Sequence, residues 1–318
     1  MYALIRNTKY VIWNYRKQTL SSLISYYTRG LKIFFYLTGH IRLSKILRPF
    51  HASGFISPKI FYIYLFKYLS NSFTTKDKLE ILTNHYTFFK KHFPYHILKS
   101  IFGDGLKCWS EVKGKDVFEM RLISMTPFEN EGSLCMLFNM NGVTLYRIAF
   151  TFAGGNTFGV LDNQIIYITR IQGMKGGLDE ISKSSKYFND VTPPVLLVSA
   201  IEGLALSLGI KTVIGISLEN QLSYLVSDEV SFQKNYNEFW KTYDSVKIYN
   251  GDYLLPLPLQ HKGIALIKSK HRSRALNKRK TRQDVSRKVY SYFISEVFTA
   301  KRIRLSPLRV VPEMRAIA

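Results

Sequence analysis

The spacing of hydrophobic positions changes near residue 106, and the change divides the chain. Upstream the spacing is helical. "SPKIFYIYLFKYLS" predicts a helix with Ser57 as N-cap and Pro58 at the first helical position. A second helix is predicted from about Thr75, because Leu79, Leu82, Tyr86, Phe89 and Phe93 recur every three to four positions before Pro94. Downstream the period drops to two. "VFEMRLISM" (117–125), "LCMLFNM" (134–140) and "VTLYRIAFTF" (143–152) read as strands, with Tyr146, Ile148, Phe150 and Phe152 on one face of the last. Asn141-Gly142 predicts a tight hairpin between the second and third.

"QIIYITRI" (164–171) is a further strand that runs into a glycine cluster. "PPVLLVSAIEGLALSLG" (193–209) predicts a helix opened by Pro193 and Pro194 and closed by Gly209. "KTVIGIS" (211–217) returns as a strand, and "KIYNGDYLLPLPL" (247–259) predicts a last strand and a proline-broken loop. Antiparallel strands leading into a strand, glycine loop, helix and strand imply an α+β fold. We expect a central, mostly antiparallel sheet with packed helices and one right-handed crossover, in an acetyltransferase-like order. The expected organisation is a basic aromatic helical extension over 1–75, a mixed α/β core over 76–260, and a basic helix and tail over 261–318.

Composition adds a strong charge. The 318 residues are 46% hydrophobic, enough for a large core, yet they carry a net charge of +23 with only 22 acidic residues. Residues 1–76 contain no Asp or Glu, while Arg6, Lys9, Arg16, Lys17, Arg29, Lys32, Arg42, Lys45 and Arg48 alternate with aromatic residues. "KSKHRSRALNKRKTRQDVSRK" (268–288) holds ten Lys and Arg against Asp284, and Val285, Val289, Tyr292 and Val297 follow at helical spacing. Arg272, Arg274, Lys278, Arg279, Lys280 and Arg282 are therefore candidate anion-binding residues. Such clusters suit nucleic acid, where cations meet phosphates and rings stack on bases. They suit an anionic membrane surface equally well. AT-rich coding is the competing explanation for the lysine, but it does not by itself remove glutamate.

Cys108 and Cys135 make no disulfide framework, and a reduced compartment fits. The first residues have no apolar signal core, and no apolar run reaches membrane-spanning length. The expected location is cytoplasmic, peripheral to the inner membrane.

"ITRIQGMKGG" (168–177) is the candidate ligand loop. Backbone N–H groups beside glycines can cradle phosphate. Arg170 and Gly173 fit the acyl-CoA loop of the acetyltransferase fold, but Lys175 stands where that pattern has its last glycine. Gly176 and Gly177 complete the candidate set. The reading stays open between a site for acyl-CoA, the one cofactor considered, and an ordinary turn. Other candidates are weaker. "GISLE" (215–219) puts Ser217 on an incomplete nucleophile elbow, because Glu219 replaces the second glycine. His92 and His96 are separated by Pro94, with His85 nearby, and no metal site is expected. Glu202 interrupts an apolar helix, as a catalytic or paired acid or as a solvent-edge residue.

Several stretches together resemble the VirK/YbjX family of enteric and related Gram-negative bacteria. They are "LEILTNHYTFF" (79–89), "YRIAFTF" (146–152), "ITRIQGMKGG", "PPVLLVSAIEGLALSLGIKTVIGIS" (193–217), "DYLLPLPL" (252–259) and "KHRSRA" (270–275). The family form of the middle helix carries a basic-Pro pair where this chain has Pro193-Pro194, so no role for that base carries over. The resemblance implies a virulence-associated protein that supports the production or surface display of envelope virulence factors and resistance to host defence. It implies as partner an envelope virulence protein or its transcript. It brings no catalytic residue. Three functions follow as expectations: docking on anionic partners, acyl transfer from acyl-CoA, and post-transcriptional regulation by RNA binding.

Overall fold

The computed structural model describes residue 28 and residues 30–125, 130–174, 176–224, 233–260 and 263–298. Helix α1 (Leu37–Ala52) buries His40, Leu43, Leu47 and Phe50. The predicted helix after Ser57 is a 3-10 helix, Pro58–Leu65, and Ser57 makes no side-chain cap bond. Its residues Ile60 to Tyr64 are all buried, a continuous apolar run with no solvent face for an α-helical stripe to leave exposed. Helix α2 (Thr75–His92) starts at a capping box between Thr74 and Asp77 and ends where Pro94 removes the next donor. A short helix α3 (Tyr95–Phe102) follows.

Eight strands among the described residues form one sheet. They are β1 (Leu106–Lys113), β2 (Asp116–Ser124), β3 (Leu134–Met140), β4 (Val143–Ala153), β5 (Ile165–Gly173), β6 (Thr212–Gly215), β7 (Val246–Lys247) and β8 (Tyr253–Pro256). Their order is β1-β2-β3-β4-β5-β6-β8-β7. The first five make an antiparallel meander, and β5 and β6 are parallel. β8 then inserts antiparallel between β6 and β7. The fold is α+β with a mostly antiparallel sheet, as the periodicity predicted. Asn141 and Gly142 have φ of 51° and 81°, the two positive values that a two-residue hairpin requires. The predicted last strand is a hairpin, β7 and β8, which turns at Gly251 with φ 90°.

Helices α4 (Leu178–Tyr187) and α5 (Pro193–Ser207) make the crossover from β5 to β6, and α6 (Gln233–Lys241) follows β6. Helix α5 lies across β3, β4 and β5, and α7 (Ser269–Tyr292) lies along α5 and reaches β1. The 24-residue α7 is held by Val285, Ser286 and Val289 alone of its fully buried residues, and its first four turns are largely exposed. Buried residues from Leu43 to Val297 form one cluster, so α1 and α7 share the core of the sheet. Among the described residues no helix is long and apolar enough to cross a membrane.

Candidate functional site

The site starts at one irregular residue in β5. Ala149 of β4 faces Arg170, and Phe150 faces Ile168, so Thr169 has no partner on β4. It is a β-bulge, which bends a strand and ends regular pairing. The Thr169 hydroxyl is directed at the carbonyl oxygens of Glu131 and, at 3.1 Å, Ala149.

At the same level β5 parts from β6. Parallel pairing runs from Ile166↔Val213 to Ile168↔Gly215, and a last bond goes from Ile216 N–H to Ile168 carbonyl at 2.9 Å. Beyond it the two strands diverge, and no described main chain pairs with the β6-side edge of residues 170–173. The end of β6 is claimed by side chains instead. Trp240 Nε1 donates to the Ile216 carbonyl at 2.9 Å, and Asn237 Oδ1 accepts the Leu218 N–H at 3.0 Å.

A buried carboxylate anchors this fork. Asp252, just before β8, is fully buried. Its Oδ1 accepts the Ser217 N–H and Asn220 Nδ2, each at 2.8 Å, and its Oδ2 accepts the Tyr167 hydroxyl at 3.0 Å and Asn250 Nδ2 at 2.9 Å. Burial pushes the Asp252 pKa up, and the four donors hold it back. Burial also raises the Tyr167 phenol, with the Asp252 charge adding to it. Ser70 and Asn71 tie the fork to the segment before α2, through the Asn220 carbonyl and, at 2.6 Å, the Gln221 carbonyl. In that segment Leu69 is buried at φ 62°, a left-handed backbone that costs a branched residue energy and must be held by its surroundings.

Two polar atoms at the fork lack good partners. Gln221, five residues beyond Ile216, buries its Nε2 without an acceptor among the described residues. The Tyr236 hydroxyl is buried beside the Ile171 main chain with no hydrogen bond of good geometry, and burial raises its pKa. Buried donors of this kind are rare and mark a place where something else can bond.

The predicted loop residues lie at the open end of the fork. Arg170 is ion-paired to Glu131, so it does not stand ready for phosphate. Gly173 packs against the Tyr146 ring, where a Cβ would come to 2.8 Å of the ring edge. Gly176 has φ 83° and open space around it, and Gly177 opens α4. Lys175 lies outside the described residues. Asp179 and Glu180 occupy the first turn of α4 and offset its positive end.

The basic cluster falls on α7, away from the fork. Arg274 pairs with Asp190 at 2.9 Å, Arg272 donates to the Ile267 carbonyl at 2.9 Å, and Arg282 stacks over Tyr243 at 5.9 Å. Lys280 is exposed, while Lys278 and Arg279 are half-buried. Ser217 is buried, and its N–H serves Asp252. His85 Nδ1 accepts the Phe152 N–H at 3.2 Å, and His92 stacks on Phe88 at 4.1 Å. Among the described residues no three His, Cys, Asp or Glu side chains converge as a metal site would require. Glu202 accepts the Leu259 N–H at 2.8 Å and is raised in pKa by burial, which makes it a clamp on the β8 loop. Cys108 and Cys135 are buried and form no disulfide.

Sequence reasoning missed Asp252, Tyr167, Gln221 and Tyr236. Asp252 falls inside the predicted last strand "KIYNGDYLLPLPL" and Tyr167 inside the predicted strand "QIIYITRI", and nothing local marks either. Only their convergence gives them a role.

A family model described as "Protein of unknown function (DUF535)" matches residues 40–289. The "Uncharacterized protein YbjX" of Escherichia coli (strain K12) is 27% identical over 217 residues, which are 65% of this chain and 63% of that protein. The chain thus spans less than two thirds of that relative's length. No solved structure matches.

Proposed function

The chain belongs to the DUF535 family, that of VirK and YbjX, and from that premise we propose that it is an acyltransferase whose acyl carrier lies in the β5–β6 fork. The observation that carries the reading is the coincidence of the Thr169 bulge, the end of β6 pairing at Ile168, and a main-chain edge over residues 170–173 that no described main chain pairs, with the Tyr236 hydroxyl beside Ile171. An extended chain with amide groups, such as the arm of an acyl-CoA, can bond to that edge as an added strand would. The backbone at Gly176 and Gly177 faces the polar end of such a carrier, and the unpartnered Gln221 amide adds a donor. The reaction class is simple. A nucleophilic nitrogen or oxygen on the acceptor attacks the thioester carbonyl, the carbon–sulfur bond breaks, and the thiol leaves with the acceptor's proton. In this reading the envelope role that the resemblance implies is chemical, the acylation of an envelope component.

The test is calorimetric titration of the full chain with acetyl-CoA and longer acyl-CoAs, beside a Gly177→Asp variant. Gly177 has φ −101° and ordinary contacts, so Asp fits there and is a good N-cap. The new carboxylate repels a phosphate. We expect wild-type binding and at least a tenfold loss in the variant at unchanged melting temperature. No binding of any acyl-CoA by the wild type overturns the proposal.

A second reading is favoured by the exposed first turns of α7, where Lys270, Lys280 and their neighbours face solvent. They suit an anionic partner such as RNA. A salt-dependent RNA affinity lost in a Lys278→Ala, Arg279→Ala, Lys280→Ala variant supports it, and unchanged affinity at low salt removes it.

A further inference from the structure

Helix α1 buries one apolar face, while its outward side mixes Leu37 and Ile41 with Arg42, Lys45 and Arg48. His40, Leu43, Leu47 and Phe50 pack inward. The outward face, with the helical residues just before α1, exposes Leu31 by 58%, Phe34 by 72%, Phe35 by 77% and Ile41 by 42%. The two phenylalanine rings touch each other at 6.3 Å, and among the described residues no other ring packs on them. Large apolar side chains held this far into water in one cluster mark a contact surface.

Cations flank the cluster. Lys32, Arg42, Lys45 and Arg48 are exposed, and no described acidic side chain lies within ion-pairing distance of them. The supply of acid is itself absent, since residues 1–76 hold no Asp or Glu. Lys78, which reaches the Phe66 carbonyl at 3.1 Å, has its pKa lowered by burial first and by the Lys32 charge second. Asp77, beside Lys78, offsets only part of the positive charge crowded at this corner.

We propose that the outward side of α1 and of the helical residues just before it docks on an anionic lipid surface, with Phe34, Phe35 and Leu31 entering the acyl boundary and Arg42, Lys45 and Arg48 meeting the phosphates. Charge complementarity selects the occupant. A nucleic acid would use the cations and stack on the rings, but it offers nothing to the aliphatic Leu31 and Ile41. A bilayer interface takes all of these groups together. The surface is separate from the fork, so lipid docking and acyl-carrier binding stand or fall independently.

The experiment is co-sedimentation of the full chain with vesicles of phosphatidylcholine, with and without phosphatidylglycerol. Two variants are compared: Phe34→Ser with Phe35→Ser, and Arg42→Gln with Lys45→Gln and Arg48→Gln. The wild type is expected to bind the anionic vesicles alone. The phenylalanine variant should bind at least tenfold more weakly at unchanged net charge. The charge variant should lose about fivefold for each cation removed. Both replace exposed residues, so melting curves should match the wild type. Absence of wild-type binding overturns the proposal. So does binding that survives in the phenylalanine variant but is abolished by the α7 substitutions, which would assign the contact to the other basic helix. Displacement of the chain from vesicles by short RNA at equal potency in wild type and phenylalanine variant also overturns it.

Discussion

Gly203 of α5 meets the main chain of Ser286 on α7 with no room for a side chain. A Cβ there would sit inside the contact radius of the Ser286 carbonyl oxygen and 3.0 Å from the Tyr290 nitrogen. The basic helix is thus seated on the core by close backbone contact at Gly203 beside its buried Val285 and Val289 side chains. Gly203→Ala gains about 1 kcal/mol of helix propensity, yet it should destabilise the protein by about 2 kcal/mol or more, because α7 must lift. Urea denaturation checks the sign. A stabilised variant would mean that α7 is not fixed there.

His85 is a core residue with an acid-sensitive ring. It is surrounded by Tyr86, Phe89 and Phe152, and burial lowers its pKa from 6.5 to about 3. Below pH 6.5 the unfolded chain takes up a proton that the folded ring refuses, so stability falls as pH drops toward about 3. The slope from this one group is about 1.4 kcal/mol per pH unit within the window. Urea midpoints measured from pH 7 downward should fall, and His85→Gln should flatten the fall while lowering stability at pH 7.

Asp252 joins β5, β8 and the loop after β6. Asp252→Ala leaves four donors in a dry site, and a loss of about 3 kcal/mol or more is expected. Tyr167→Phe removes one donor and should cost about 1–2 kcal/mol. Equal, small effects from both would show that water reaches the carboxylate.

Asn141 does more than permit the hairpin turn. Its Oδ1 accepts the Val117 N–H at 2.9 Å and its Nδ2 donates to Asp116 at 2.9 Å. Hydrogen bonds from Lys183 first and Asn141 second hold Asp116 down at about pKa 2. In Asn141→Ala the Asp116 pKa should rise, as read by NMR titration of its carboxyl carbon. The variant should also lose about 1–2 kcal/mol, since alanine resists positive φ.

The pattern of residues was sufficient for the elements whose causes are local. Strands β2 to β5, helices α2 and α5, and the Asn141-Gly142 turn follow from period and turn chemistry. The helix predicted from Pro58 is present but winds as a 3-10 helix, and a segment buried on every side has no stripe to betray its winding. Strand β1 and helices α3, α4 and α6 carry no such local signal. Their polar and apolar residues follow either period too loosely to choose.

What the sequence determined by itself is the class of fold, the family and the excess of positive charge, because each is a property of neighbours in the chain or of simple counts. What only the tertiary structure decided is which of those groups meet. Tyr167 and Asp252 are 85 residues apart in the chain and bonded in space. Arg170 spends its charge on Glu131, which no spacing rule connects to it. The bulge at Thr169 depends on the register of β4 against β5, and that register is set by the whole buried face rather than by Thr169. Pairing across long loops is chosen by packing and by the cost of leaving a buried group unsatisfied, and neither is written in any local stretch.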